Sequence, residues 1–88
     1  MKTINFKNFK MFDDISKETS SIVDARKDVA DNIYKSTNGI AALDLSLKIY
    51  KSTGTIELSD EEFALLEAFI ATCTPRFIES FRANVKEK

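Results

Sequence analysis

Gly39–Tyr50 reads GIAALDLSLKIY, and where its apolar residues fall on a helix decides what the rest of the chain must do. On a helical wheel Ile40, Leu43, Leu47 and Tyr50 lie on one side, while Ala42, Leu45 and Ile49 carry the apolar arc well past an ordinary amphipathic stripe. A helix of this kind is expected to be covered from more than one direction and to be central to its domain. Its only polar strip is Asp44, Lys48 and Lys51, spaced i, i+4, i+7, and that strip is where it should meet water. Asp44 precedes Lys48 by four residues, the favourable order for an ion pair worth about 0.2 to 0.5 kcal/mol.

Working outward, Asn38-Gly39 supplies a residue tolerant of positive φ, so it stops one helix and starts the next within a short turn. The preceding helix is predicted from an N-cap at Asp24 to about Ser36, with Val29, Ala30, Ile33 and Tyr34 as its apolar face. Gly54 is expected to end the second helix for the same reason. Thr55–Leu58 then reads as a short extended linker. After it, Ser59-Asp60-Glu61-Glu62 forms a capping box, Ser59 with Glu62, and Leu58 and Phe63 take the staple positions. The third helix that starts there presents Leu66, Phe69, Ile70 and Cys73 to the core, with Leu65 beside them. Thr74-Pro75 closes it and opens a fourth, with Thr74 as N-cap and Pro75 at the first position, where a missing N–H does no harm. Phe77, Ile78, Phe81 and Val85 form the apolar stripe of this last helix. Arg82, Lys86 and Lys88 place positive charge near its C-terminus, where the helix dipole favours it.

The N-terminal region is different in kind. Ile4 and Phe6 alternate, and Phe9 and Met11 follow after a slip at Asn8, which predicts a strand ending near Ile15. The polar stretch Ser16–Ser20 separates it from a β-branched run at Ser21–Val23, so a hairpin with a loop of about four residues is expected, resting on the helices because a lone hairpin is marginal in water. Lys7 and Lys10 are placed to keep an exposed edge from pairing with another chain. The fold class is therefore α+β, mostly α: residues 1–23 form a β-hairpin region packed on a bundle of about four helices in 24–88, all within one domain.

Composition narrows the function. The chain has 88 residues, 13 basic and 14 acidic side chains and a net charge of -1, so no global field draws it to nucleic acid or to an anionic membrane. A chain of this size buries only about 60 to 65% of the surface exposed when unfolded, which leaves little margin of stability. Its single cysteine, Cys73, has no partner for an internal disulfide, and no apolar run reads as a signal peptide or membrane span, so a cytoplasmic setting is expected.

The segments NGIAALDLSLKIY (Asn38–Tyr50) and ELSDEEFALL (Glu57–Leu66) together resemble small proteins encoded by tailed phages, prophages and related mobile elements. In that group a leucine- and alanine-rich helix ending in a Lys-Ile-Tyr-like triplet is followed by a short acidic linker and a Ser/Thr-x-Glu-Glu cap. The likeness runs from about Asp24 to Phe77. It implies a small accessory protein and carries over no functional residue.

Chemistry is sparse. General acid–base and nucleophilic catalysis most often use histidine, an activated cysteine or paired carboxylates in a cleft, and this chain contains no histidine. Cys73 falls on an apolar face and reads as a core thiol with a raised pKa. The acidic clusters Asp13-Asp14 and Asp60-Glu61-Glu62 read as loop solvation and cap stabilisation; a metal site needs ligands converging from further elements. Both glycines are placed as helix stops, so no loop cradles a phosphate. No catalytic, cofactor-binding or metal residue is assigned, and neither an enzyme nor a small-molecule substrate is expected.

The first two helices and the turn Thr37-Asn38-Gly39 have helix-turn-helix spacing, but the second opens Ile40-Ala41-Ala42-Leu43-Asp44-Leu45 and offers base edges no Arg, Lys, Asn or Gln. What remains is protein recognition. Strict alternation cannot place Phe6, Phe9, Met11 and Phe12 on one face of a hairpin. Either some of them are exposed and form a partner or homo-oligomer interface, or the N-terminus wraps onto the helices and buries them. The expectation is a non-enzymatic accessory protein of a phage or mobile element acting by protein–protein contact, with self-association as one form of it. The alternative is a weak nucleic-acid-binding or regulatory protein using a basic patch of Lys2, Lys7 and Lys10 on the N-terminal strand, extended by Arg76 and Arg82 if the hairpin and last helix are adjacent.

Overall fold

Asn5 divides what reads as one N-terminal strand into two. In the computed structural model, which describes residues 1–87, its side-chain Oδ1 accepts the N–H groups of Lys7 and Asn8, both at 3.0 Å, and the turn so formed sends the two halves into different sheets. Lys2–Ile4 (β1) is the central strand of a three-stranded antiparallel sheet; Phe9–Phe12 (β2) pairs with Ser20–Val23 (β3) as the hairpin. The hairpin loop spans residues 13–19, longer than expected, and begins with Asp13 N–H donating to Thr19 O.

Four helices follow in the predicted order: Arg26–Ser36 (α1), Ile40–Tyr50 (α2), Asp60–Ile70 (α3) and Pro75–Asn84 (α4). The α+β class and a hairpin lying against the helices, specifically against α4, are as expected. Local chemistry set several boundaries. Gly39 has φ 99° and its carbonyl accepts the Leu43 N–H, a backbone conformation that costs any residue with a Cβ. Both halves of the Ser59–Glu62 capping box are present, and Thr74 accepts the Phe77 N–H with Pro75 at the first helical position. Ser59→Ala, which removes the acceptor for the Glu62 N–H, should lower stability by about 1 kcal/mol, read as a shifted urea midpoint with unchanged slope.

Other boundaries moved. The N-cap position of α1 is Ala25, not Asp24: the Ala25 N–H is committed to Phe6 O at 2.8 Å, and Asp24 instead holds Arg26 through its backbone N–H and guanidinium. These hydrogen bonds keep the Asp24 carboxyl at about 2. α2 stops at Tyr50, where Ser52 returns both its N–H and its hydroxyl to Ile49 O; Gly54 is three residues further on and has no positive φ. The expected linker is a strand, Ile56–Leu58 (β4), antiparallel to β1 with Thr3 opposite Glu57. Helix α4 ends at Asn84, so Lys86 belongs to a short strand, Lys86–Glu87 (β5), on the other edge of β1. Lys88 lies outside the described residues.

The core joins all layers: Ile4, Phe6 and Phe9 from the N-terminal region, Val29, Ala30 and Ile33 from α1, Ala42, Leu45 and Ile49 from α2, and Leu58, Leu66, Ile70 and Phe81. Phe9 stacks between Phe6 and Phe77 at centroid separations of 5.7 and 5.4 Å, and so ties the hairpin to the last helix. Cys73 lies three residues beyond α3 and is half-buried.

Sequence periodicity misplaced one face. α2 packs on α1 through Ala42, Leu45, Ser46 and Ile49, and the opposite line, Ile40, Leu43, Leu47 and Tyr50, faces solvent. The helix is covered on one side, not on several. Two residues of the buried face, Ala42 and Ser46, are small, and interhelical distance is set by the side chains at the contact. Lys48, assigned to the solvent strip, instead reaches across to α3 and β4, binding the Glu62 carboxylate at 3.0 Å and the Glu57 carbonyl. Tyr34 of α1 is exposed as well, next to this line.

Candidate interaction surface

The aromatic group Phe6, Phe9, Met11 and Phe12 does not form an exposed face. Phe6 and Phe9 are fully buried and have no surface to offer a partner. Met11 is partly buried against the core, and Phe12 is half-buried with the ammonium groups of Lys10 and Lys17 at 5.4 and 5.9 Å from its ring centre. The reason is the turn at Asn5. It allows Phe6 to point inward from the bend and Phe9 from the next strand, so the wrapping alternative applies to these two rings.

Lys2, Lys7 and Lys10 belong to β1, the Asn5 turn and β2 respectively. Lys2 is answered by Glu87 at 2.5 Å, which raises its pKa, and its ammonium also sits 5.5 Å from the Phe63 ring centre. Arg76, adjacent to the hairpin as the patch required, spends its Nε–H on the Phe12 carbonyl. Arg82 is exposed on α4.

Two features remain that residue types alone did not single out. The first is an open groove of about 680 Å³ between the hairpin, α1 and the α3–α4 connection, with Met11, Val23, Val29, Phe69 and Phe77 on its walls and Asp24, Asp28 and Arg76 at its rim. Cys73 also lines it, but burial pushes that thiol up from its ordinary value, away from the thiolate form that reacts. Among the described residues, no three His, Cys, Asp or Glu side chains are grouped to hold a metal ion, and no helix is long and apolar enough to cross a membrane.

The second is the α1–α2 face. Ile40 is 76% exposed, Tyr34 66%, Tyr50 53%, Leu47 42% and Leu43 40%. Tyr34, Leu47 and Tyr50 surround a shallow hollow of about 220 Å³ with the Lys27–Asp31 ion pair at its edge. Together the five residues, backbone and hydroxyls included, leave roughly 600 Å² at most in contact with water, within the range a monomer shows as its largest apolar patch. The sequence held a signal for it. An apolar arc wider than one neighbouring helix can cover must leave part of itself outside, unless a second element arrives. Here α3 joins α2 through the Lys48–Glu62 pair and the shared core, and the bulky line stays open. The Glu62 carboxyl is partly desolvated, which opposes its ionisation, yet hydrogen bonds from Ser59 and Lys48 outweigh that and hold it below its ordinary value.

No protein-family model, curated protein or solved structure matches this chain. The α1–α2 face therefore has to be interpreted from its own chemistry: bulky aliphatic and phenolic side chains, no charge along the line itself, and charged groups only at the margins.

Proposed function

We propose that this protein is a non-enzymatic accessory protein that works by protein–protein contact, and that its working surface is the α1–α2 face and not the N-terminal hairpin. The observation that carries this reading is the solvent-facing line Ile40, Leu43, Leu47 and Tyr50 with Tyr34 beside it, an arrangement whose cost in water is relieved when another apolar surface covers it. A chain without histidine and with its one thiol pushed up from its ordinary value by burial supports contact over catalysis. The likeness of Asp24–Phe77 to small phage and mobile-element proteins supports an accessory role, and a cytoplasmic setting belongs to the same reading. Nucleic-acid binding through Lys2, Lys7 and Lys10 has weaker support, because Lys2 is already neutralised by Glu87.

The test is a photo-crosslinking residue placed at position 47 in cells that make the protein, compared with the same residue at position 18 on the hairpin loop. A discrete adduct from position 47, with none from position 18, is the expected result. Equal labelling from both positions, or none from 47, would sink the assignment.

A further inference from the structure

We infer that the occupant of the α1–α2 face is a second copy of this chain, joined about a two-fold axis with the two α2 helices antiparallel; this rests on the contact reading above and names its partner. The first argument is spacing. Ile40, Leu43, Leu47 and Tyr50 fall at intervals of three, four and three residues, the seam along which helices pair by inserting side chains between those of a facing helix. Each copy carries the same line. A two-fold axis near Leu47 therefore sets Leu43, Leu47 and Tyr50 of one copy against Tyr50, Leu47 and Leu43 of the other, which is the condition for an isologous interface.

Area gives the second argument. Roughly 600 Å² on each copy sets an upper bound of about 1,200 Å² removed from water, so the interface lies near the approximate 1,000 Å² minimum expected of a specific one. Tyr34 and Tyr50 add rings whose hydroxyls can stay wet at the margin while the ring bodies pack. Charge gives the third. Asp44 and Lys51 are exposed on the same flank of the seam, seven residues apart, and neither appears among the ion pairs of the described residues. With the two-fold axis near Leu47, antiparallel packing brings Asp44 of one helix within about a turn of Lys51 of its partner and leaves Ile40 at the margin, and opposed helix dipoles favour the same orientation. A net charge of -1 on each chain sets almost no repulsion against pairing.

The experiment is mass measurement by light scattering and sedimentation on the full chain at about 100 μM, above the micromolar Kd that a small interface supports. A mass of twice 9.9 kDa is expected. Leu47→Glu should return it to a single 9.9 kDa chain with unchanged helical circular dichroism, because residue 47 faces solvent and its replacement leaves the core intact. Ile22→Glu, on the open edge of β3, should leave the dimer in place. A monomer at that concentration overturns the second copy; so does a dimer that Ile22→Glu dissociates and Leu47→Glu does not, which would mean pairing through strand edges. If the protein is a monomer and position 47 crosslinks to a different protein, the second copy is wrong and the contact reading stands. If it is a monomer and position 47 gives no adduct, both fall.

Discussion

Phe9→Ala should lower the unfolding free energy by about 3 to 5 kcal/mol, the usual loss when a buried phenylalanine is cut back to a methyl group. The ring has no exposed surface and stacks on Phe6 and Phe77. Its removal takes away apolar burial and leaves a gap bounded by two large rings on separate elements, which cannot close without moving the hairpin relative to α4. Domains of this size are stable by about 5 to 15 kcal/mol in all, so one substitution would take roughly a fifth of the total or more. Phe12→Ala is the contrast. Its ring is half-buried and edged by two lysines, so partial loss of burial should cost about 1 kcal/mol. Urea unfolding followed by circular dichroism distinguishes the two. Equal losses at positions 9 and 12, or less than 1 kcal/mol at position 9, would mean that Phe9 is not the link between hairpin and helices.

That contrast shows where sequence reasoning reached its limit. Phe6, Phe9, Met11 and Phe12 are all apolar and closely spaced, and nothing in their identities says which ones the chain turns inward. The decision lies with Asn5, whose carbonyl oxygen captures two backbone N–H groups and bends the strand. Features with their own local chemistry were legible: the reciprocal Ser59–Glu62 bonds, Thr74 before Pro75, and the glycine that permits positive φ between α1 and α2. Each involves residues within a few positions of one another, so its energy does not depend on the rest of the fold.

The three-stranded sheet was not legible for the opposite reason. β4 and β5 are three and two residues long, too short for a period-2 pattern to stand out, and they pair with β1 across most of the chain. The rotation of α2 is the same problem in helical form. Its apolar residues allow several faces to be buried, and the one chosen carries the small residues Ala42 and Ser46 beside Leu45 and Ile49. A pattern count favours the bulky residues. Packing takes the face with the small ones, and the bulky residues become the surface.

The second large effect is expected at Ser80, a residue with no apolar character in the middle of the core. It is fully buried, accepts the Phe12 N–H at 3.0 Å and donates to the Arg76 carbonyl at 2.8 Å. One turn on either side, Arg76 donates to the Phe12 carbonyl and Asn84 clasps both the N–H and the carbonyl of Lys10. Arg76, Ser80 and Asn84 stand at i, i+4 and i+8 on α4, one line on the helix surface, and together they serve the β2 edge that faces away from β3. A row of helix side chains thus takes the place of a neighbouring strand, and that edge is closed to other chains. Ser80→Ala removes the acceptor of a part-buried N–H, at a cost of about 1 to 3 kcal/mol where that N–H stays unpaired. Asn84→Ala should cost less, because its bonds to Lys10 are exposed and solvent can take them over. Amide exchange supplies the local readout: the Phe12 N–H should lose protection in Ser80→Ala by more than the fall in global stability explains, relative to N–H groups within α1. If Phe12 and the α1 amides accelerate by the same factor, Ser80 acts only as core filler and the helix does not stand in for a strand.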